Sequence, residues 1–358
     1  MTIIANQFVH GGNIYQYSEE QRKGLLDFSA NINPLGPSPL GLAALGDWTE
    51  RIQHYPEPYH VTLRQELGRY YRLAPENIAA GNGATEFLYT LFSHLRPPRV
   101  WVVAPTFSEY ARAGLAAGAR IISKAREDLL RDAQENLRRN DAVCLCLPNN
   151  PDGTIPAPEI VAQWMDLTRR RGAYLLLDES FGDFNPEFAS YRNSVITNPH
   201  VFVLQSLTKF WAIPGLRLGA LFAHCEQIEN VLAQTDQWNV NVLATQYMTA
   251  ALQDTAYITA TQALIATEKN RVYEMYRSRS DFAVHYPAVN FMLMKLPPHC
   301  AASIIADRLA ARGILIRNCD NYDGLTSRHI RIAIREPQDN DTLFAALVEE
   351  VERLQGGR

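Results

Sequence analysis

One lysine sits three residues after a serine and one after a threonine, in Ser206-Leu207-Thr208-Lys209-Phe210-Trp211, and a Gly215-Leu216-Arg217-Leu218-Gly219 turn follows. The apolar run Val201 to Leu204 precedes it and Ala220-Leu221-Phe222 comes after, so a buried strand leads into the loop that carries the amine. In a partly desolvated cleft a lysine pKa falls, and the neutral amine is a nucleophile toward an aldehyde. Ser206, Thr208 and Arg217 are the donors that a phosphate monoester beside that aldehyde requires. Most lysines are solvated surface cations. The joint spacing of hydroxyls, amine, arginine and glycines puts that reading well below a covalent aldehyde site.

Such a site needs partners. Gly81-Asn82-Gly83-Ala84-Thr85-Glu86 joins a strand to a helix and leaves backbone N–H groups at the helix start, a ready phosphate site; standing alone it would be an ordinary strand-to-helix turn. Asn150 lies in Pro148-Asn149-Asn150-Pro151-Asp152-Gly153, a loop that ends the apolar strand Ala142 to Leu147. Asp178 ends the strand that begins at Ala173. Ligands of open α/β sheets bind at the carboxyl ends of strands. Asn150, Asp178 and the 206–209 segment all stand at such ends, and their convergence outweighs any one motif. His10-Gly11-Gly12-Asn13 permits a tight turn whose amides could cradle an anion, a weak signal alone. Asn31 and Asn33 read as turn formers or as polar contacts in a cleft.

The elements that position these residues alternate. The runs Val100 to Pro105 and Ala142 to Pro148 are apolar almost throughout, and helical patterns separate them, which predicts a mainly parallel sheet covered on both faces. Helices are expected over Leu63 to Tyr71, Phe87 to Phe92 and Ile160 to Arg171. After Gly219 the pattern is more helical, over Val242 to Leu252 and Tyr257 to Tyr286. Strands at Asn290 to Leu296, Ile314 to Arg317 and His329 to Ile334 then alternate with helices at Ala301 to Arg312 and Thr342 to Leu354. This predicts a smaller α+β C-terminal domain. The expected division is an N-terminal arm over 1–40 packing with the small domain, a large domain over 41–254 and the small domain over 255–358.

With 358 residues, 47% hydrophobic and 20% charged, the chain has the profile of a soluble globular protein of two domains. A net charge of −4 gives no basic surface for nucleic acid. No apolar run reaches membrane-spanning length and no signal peptide is apparent, so a cytoplasmic location is the expectation. The five cysteines, 144, 146, 225, 300 and 319, are scattered and odd in number, against a disulfide framework. Cys144 and Cys146 read as small core residues, and no metal site is expected.

Taken together the residues resemble the aminotransferase superfamily of fold-type I pyridoxal 5′-phosphate (PLP) enzymes, over essentially the whole chain. The resemblance implies an α/β fold-type I architecture and PLP bound covalently by Lys209. It implies Asp178 at the ring nitrogen, Asn150 at the ring oxygen and Phe107 stacked on the ring. Gly83, Ala84, Ser206, Thr208 and Arg217 would hold the cofactor phosphate. Tyr55, in Tyr55-Pro56-Glu57-Pro58, is similar to the tyrosine that reaches the neighbouring subunit's cofactor, which implies a homodimer. Arg331 resembles the arginine that grips a substrate carboxylate. One departure stands out: the family's transaminases carry Tyr three residues after the ring aspartate, where this chain has Phe181. Two branches with phosphorylated substrates are similar. The histidinol-phosphate aminotransferases share the general pattern. The threonine-phosphate decarboxylases of cobalamin biosynthesis share more, in His10-Gly11-Gly12-Asn13, Phe181 and the Arg317/Arg331 pair. That branch implies a small phosphorylated amino acid as substrate, with its phosphate held by His10, Gly11, Asn31 and Arg317. Asp152 is less usual in the Asn-Pro-x-Gly loop than Thr or Asn, and reads as loop variation close enough to the ring to bear on the substrate.

Overall fold

A computed structural model describes residues 10–46 and 48–356, so the arm's first nine residues lie outside the described part. In chain order its strands are β1 (Leu26–Asp27), β2 (Ile78–Gly81), β3 (Arg99–Val103), β4 (Arg120–Lys124), β5 (Ala142–Cys146), β6 (Tyr174–Asp178), β7 (Val201–Ser206) and β8 (Gly219–Phe222), followed by β9 (Ala283–Val284), β10 (Phe291–Lys295), β11 (Ile314–Leu315), β12 (Arg317–Asn318) and β13 (His329–Ala333). Seven form one sheet in the order β2-β8-β7-β6-β5-β3-β4. The sheet is mainly parallel; β8 alone runs against its neighbours β2 and β7.

The apolar runs of the sequence follow from burial on both faces. Successive residues of β5, β6 and β7 enter different cores: Leu175, Leu177, Val201 and Val203 pack into one, and Leu176, Phe202 and Leu204 into the other. A strand with no solvated face has no reason to alternate polarity. The edge strand β4, unmarked in the sequence reading, is Arg-Ile-Ile-Ser-Lys with both charged ends exposed, a composition that discourages further pairing.

The C-terminal part builds an antiparallel sheet in the order β12-β13-β10-β9. Here two expectations are corrected. The run Ile314 to Arg317 is two strands: Ile314 and Leu315 pair in parallel with Leu26 and Asp27 of the arm, and Arg317 and Asn318 pair with β13. The long helical pattern stops at Arg277. Arg279 holds Asp281 at 2.9 Å within a turn, and Ala283–Val284 then joins β10 as an edge strand. No helix is long and apolar enough to cross a membrane, and no cluster of three or more His, Cys, Asp or Glu suited to a metal occurs, among the described residues.

Candidate active site

The carboxyl ends of β5, β6 and β7 open into one cleft, lined by Ala84, Phe107, Asn150, Asp178, Thr208 and Lys209, with Ser206 and Arg217. Lys209 stands on the short helix Leu207–Phe210, which begins where β7 ends. Its Nζ donates to Ser206 Oγ at 2.8 Å, and Ser206 Oγ lies 2.8 Å from Thr208 Oγ1. Burial brings the Lys209 pKa down to about 8; Asp178 opposes the shift and Arg217 adds to it. The backbone beneath is pinned from the arm. Asn33 N–H donates to the Lys209 carbonyl at 3.0 Å, and Asn33 Nδ2 donates to the Phe210 carbonyl at 2.9 Å.

Asp178 is buried opposite the lysine. It accepts the Tyr110 hydroxyl at 2.7 Å and the Ser180 amide at 3.0 Å. Phe107 lines the same cleft and meets Tyr110 edge-on, with ring centroids 5.5 Å apart. Phe181 packs on Phe291 at 4.8 Å and faces the Lys209 amine at 5.7 Å.

A helix start and a guanidinium meet at Gly83. Gly83 caps the helix Ala84–Leu95 with φ +88°. The Arg217 guanidinium comes so close that a Cβ on Gly83 would lie 2.3 Å from its Nη2. Only a glycine lets the helix amides and this cation approach together. Gly219, the register partner of both Gly81 and Ser206, brings β8 equally close: its added Cβ would be 2.2 Å from the Ala84 amide nitrogen.

The predicted substrate residues lie beside this cleft. Arg331 is buried on β13, donating to Asn150 Oδ1 and, at 2.6 Å, to the Ser29 carbonyl. Its Nε and the buried Asn31 Oδ1 find no hydrogen-bond partner among the described residues. Arg317 is the cross-strand partner of Arg331. It donates to the Asn318 carbonyl and to Asn321 Oδ1 and stacks over Tyr322. His10 and Gly11 line an adjoining cavity with Arg317. Gly11 is required by packing, since a Cβ there would meet the Ser29 carbonyl at 1.9 Å. His10 Nε2 lies 2.7 Å from Glu109 Oε1. Tyr55 is not brought to the cleft within this chain: it is 79% exposed and packs at a tilt against Trp238, with ring centroids 4.7 Å apart.

Asp152 belongs to the loop. Its Oδ1 accepts from Asn149 Nδ2, the Thr154 amide and the Thr154 hydroxyl, and Arg126 approaches its other oxygen at 3.8 Å. Sequence reasoning missed Tyr110, Ser180, whose Oγ accepts the Ser206 amide at 3.0 Å, and Glu109. The first two stand three residues after Phe107 and two after Asp178, where a turn or a first helical turn could have pointed to them. Glu109 carried no signal, because its partner is ninety-nine residues away.

The family model described as aminotransferase class I and II matches residues 23–347. A threonine-phosphate decarboxylase from Salmonella typhimurium is 38% identical, over 94% of this chain and 95% of its own. A histidinol-phosphate aminotransferase from Roseiflexus castenholzii is 34% identical, over 91% and 89%. The crystal structure of L-threonine-O-3-phosphate decarboxylase from Porphyromonas gingivalis superposes with a TM-score of 0.82 at 25% identity, covering 91% of this chain and 99% of that one.

Proposed function

The chain belongs to the class I and II aminotransferase family, and from that premise we propose that it decarboxylates an O-phosphorylated β-hydroxy amino acid. The first candidate is L-threonine O-3-phosphate, giving (R)-1-aminopropan-2-ol O-2-phosphate and CO₂, a step of cobalamin biosynthesis. The family's cofactor is pyridoxal 5′-phosphate, and the donor set of the cleft fits it. Lys209 offers a partly neutral amine to the aldehyde. Arg217 and the amides after Gly83 converge where a phosphate would sit, with Ser206 and Thr208 beside them. When bound, the cofactor supplies an electron sink for the pair left on the substrate Cα.

The chain's own residues do the rest. Asp178, oriented by Tyr110, would hold a proton at the ring nitrogen. Asn150, its amide oxygen taken by Arg331, would turn its Nδ2 toward the ring oxygen. Arg331 would bind the substrate carboxylate and Arg317 its phosphate. Two anchors fix rotation about Cα, and rotation selects the bond that breaks. With the Cα–carboxylate bond cleaved, Lys209 Nζ would deliver a proton to Cα in its place.

One observation carries this reading. Arg317 and Arg331 are register partners on adjacent antiparallel strands, only 6% and 5% exposed. Like charges directly opposite each other destabilise a sheet. A ligand bearing two anionic groups, a carboxylate and a phosphate, removes that cost. Phe181, standing where the family's transaminases carry Tyr, supports the decarboxylase branch. The relative at 34% identity favours a second reading, transfer of an amino group to imidazole-acetol phosphate. The test measures both reactions with the PLP-loaded enzyme. Stoichiometric CO₂ from threonine phosphate with negligible transfer from glutamate is expected. Rapid transfer without CO₂ would hand the assignment to the aminotransferase reading. The proposal extends to a homodimer with shared sites, supported by the exposure of Tyr55 in its Tyr-Pro-Glu-Pro segment.

A further inference from the structure

Glu109 has no part in the chemistry derived above, yet it is a buried carboxylate beside the cleft, 4% exposed. It begins the helix Glu109–Ala116, two residues after Phe107. Its Oε1 takes His10 Nε2 at 2.7 Å and, more loosely, Arg112 at 3.4 Å; its Oε2 accepts the Tyr89 hydroxyl at 3.2 Å. Burial alone would raise the Glu109 pKa, and His10 and Arg112 outweigh it, so the carboxyl titrates below the usual range. The His10 ring rests on Phe107, with centroids 5.5 Å apart. An imidazole held at one nitrogen by a carboxylate and packed at a tilt against an aromatic ring has a restricted direction. With Nε2 taken, Nδ1 is the nitrogen left for a ligand. His10 also lines, with Gly11, Gly12, Asn318 and Arg317, a cavity of about 320 Å³. Asp307 lines it too, so an anion entering the cavity needs the Arg317 guanidinium and a second donor beside it to offset that carboxylate.

We infer that Glu109 is a positioning residue for the substrate's phosphate: it orients His10, which with Arg317 forms a two-sided grip on a phosphate monoester. The inference rests on the phosphorylated-substrate reading above and goes beyond it by assigning the group that aims the histidine. Arg317, on β12, and His10, on the arm, belong to separate segments, and Glu109 belongs to the large sheet's cover. The Glu109–His10 contact therefore ties the arm to the large domain at the edge of the cleft.

The test uses PLP-loaded enzyme and two probes: inorganic phosphate, followed by calorimetry, and threonine phosphate, followed by CO₂ release. Glu109→Gln keeps the side chain's size and removes its charge. It should weaken phosphate binding and raise KM three- to tenfold, with kcat and cofactor retention changed less than twofold. His10→Ala, which removes the ring that Glu109 orients, should match it or exceed it. The double variant should be no worse than His10→Ala, since residues that act as a unit are not additive. Unchanged phosphate affinity in Glu109→Gln, additive penalties, or a loss confined to kcat would each overturn the inference, as would failure of the unmodified holoenzyme to bind phosphate. If phosphate binding weakens as stated while threonine phosphate is not turned over, the grip stands and the substrate reading fails.

Discussion

Lys209 shows how much of a site's chemistry is set by one side chain's surroundings. Burial disfavours the ammonium, and the Asp178 charge across the cleft only partly restores it, which leaves the pKa at about 8. The sign is that of a base whose folded pKa is depressed: the neutral amine gains ground as pH rises through 8, well before an ordinary lysine would yield it. At pH 7 about a tenth of the chains carry the reactive free amine, against roughly one in a few thousand for a solvated lysine. Covalent capture of pyridoxal phosphate by the apoprotein should therefore accelerate with pH and level off above a midpoint near 8. Borohydride trapping and peptide mapping should place the pyridoxyl group on Lys209. A rate still climbing tenfold per unit above pH 9, or label on another lysine, would contradict the assignment.

At the scale of elements, the cleft depends on how closely a helix, a turn and a strand approach, and two glycines set that distance in different ways. The Cβ of a Gly83→Ala variant would meet Arg217 Nη2, the end of a flexible side chain, although φ +88° is itself unfavourable for alanine. The Cβ of Gly219→Ala would meet the backbone of Gly83 and Ala84 at 2.2 to 2.7 Å. A side chain can swing aside, whereas a helix start and a central strand cannot, and overpacking of this kind costs about 1–3 kcal/mol or more. Gly83→Ala should fold and lose cofactor affinity by displacing Arg217. Gly219→Ala should lower the melting temperature of the apoprotein as well, by the larger amount. Thermal melts with and without pyridoxal phosphate separate the two. Equal destabilisation of both apoproteins would mean that Arg217 is as rigid as the backbone.

At the scale of the molecule, one stretch stands out. Leu40, Leu42, Trp48, Ile52, Tyr55, Tyr59 and Val61 are exposed apolar side chains from a single stretch, and Trp238 joins them through Tyr55. Tyr59 and His60 in that stretch hold φ of 57° and 52°, a conformation that costs non-glycine residues energy and that His60, bonded to Asn239 Oδ1 at 2.9 Å, helps to fix. Water is a poor partner for such a run of apolar side chains; in the proposed homodimer a second copy of the chain would cover it and present Tyr55 to the other cleft. Mixing Lys209→Ala chains with Tyr55→Ala chains should restore activity, because one hybrid site in each mixed dimer is intact. Sedimentation as a fully active monomer would refute shared sites.

The sequence by itself determined the family and the layers. Ser206, Thr208, Lys209 and Arg217 fall within one short segment, so their meeting is a matter of local spacing. The unbroken apolar runs of β5, β6 and β7 announced burial on both faces. Asn150 and Asp178 could be assigned to strand ends because polarity changes abruptly where each strand leaves the sheet. Tertiary structure alone decided whatever depends on register or long-range approach. The pairing of Arg317 with Arg331 needs β12 to leave β11 and turn to β13, which the continuous run Ile314 to Arg317 conceals. Gly11, a mere turn former by type, is demanded by the Ser29 carbonyl lying against it. Asp152 was drawn inward by its own loop, through hydrogen bonds its position did not reveal. Glu109 meets His10 only because the arm returns across Phe107. A residue's type and near neighbours limit the chemistry it can do; the partner that completes or restrains it is chosen by segments that fold against it from far along the chain.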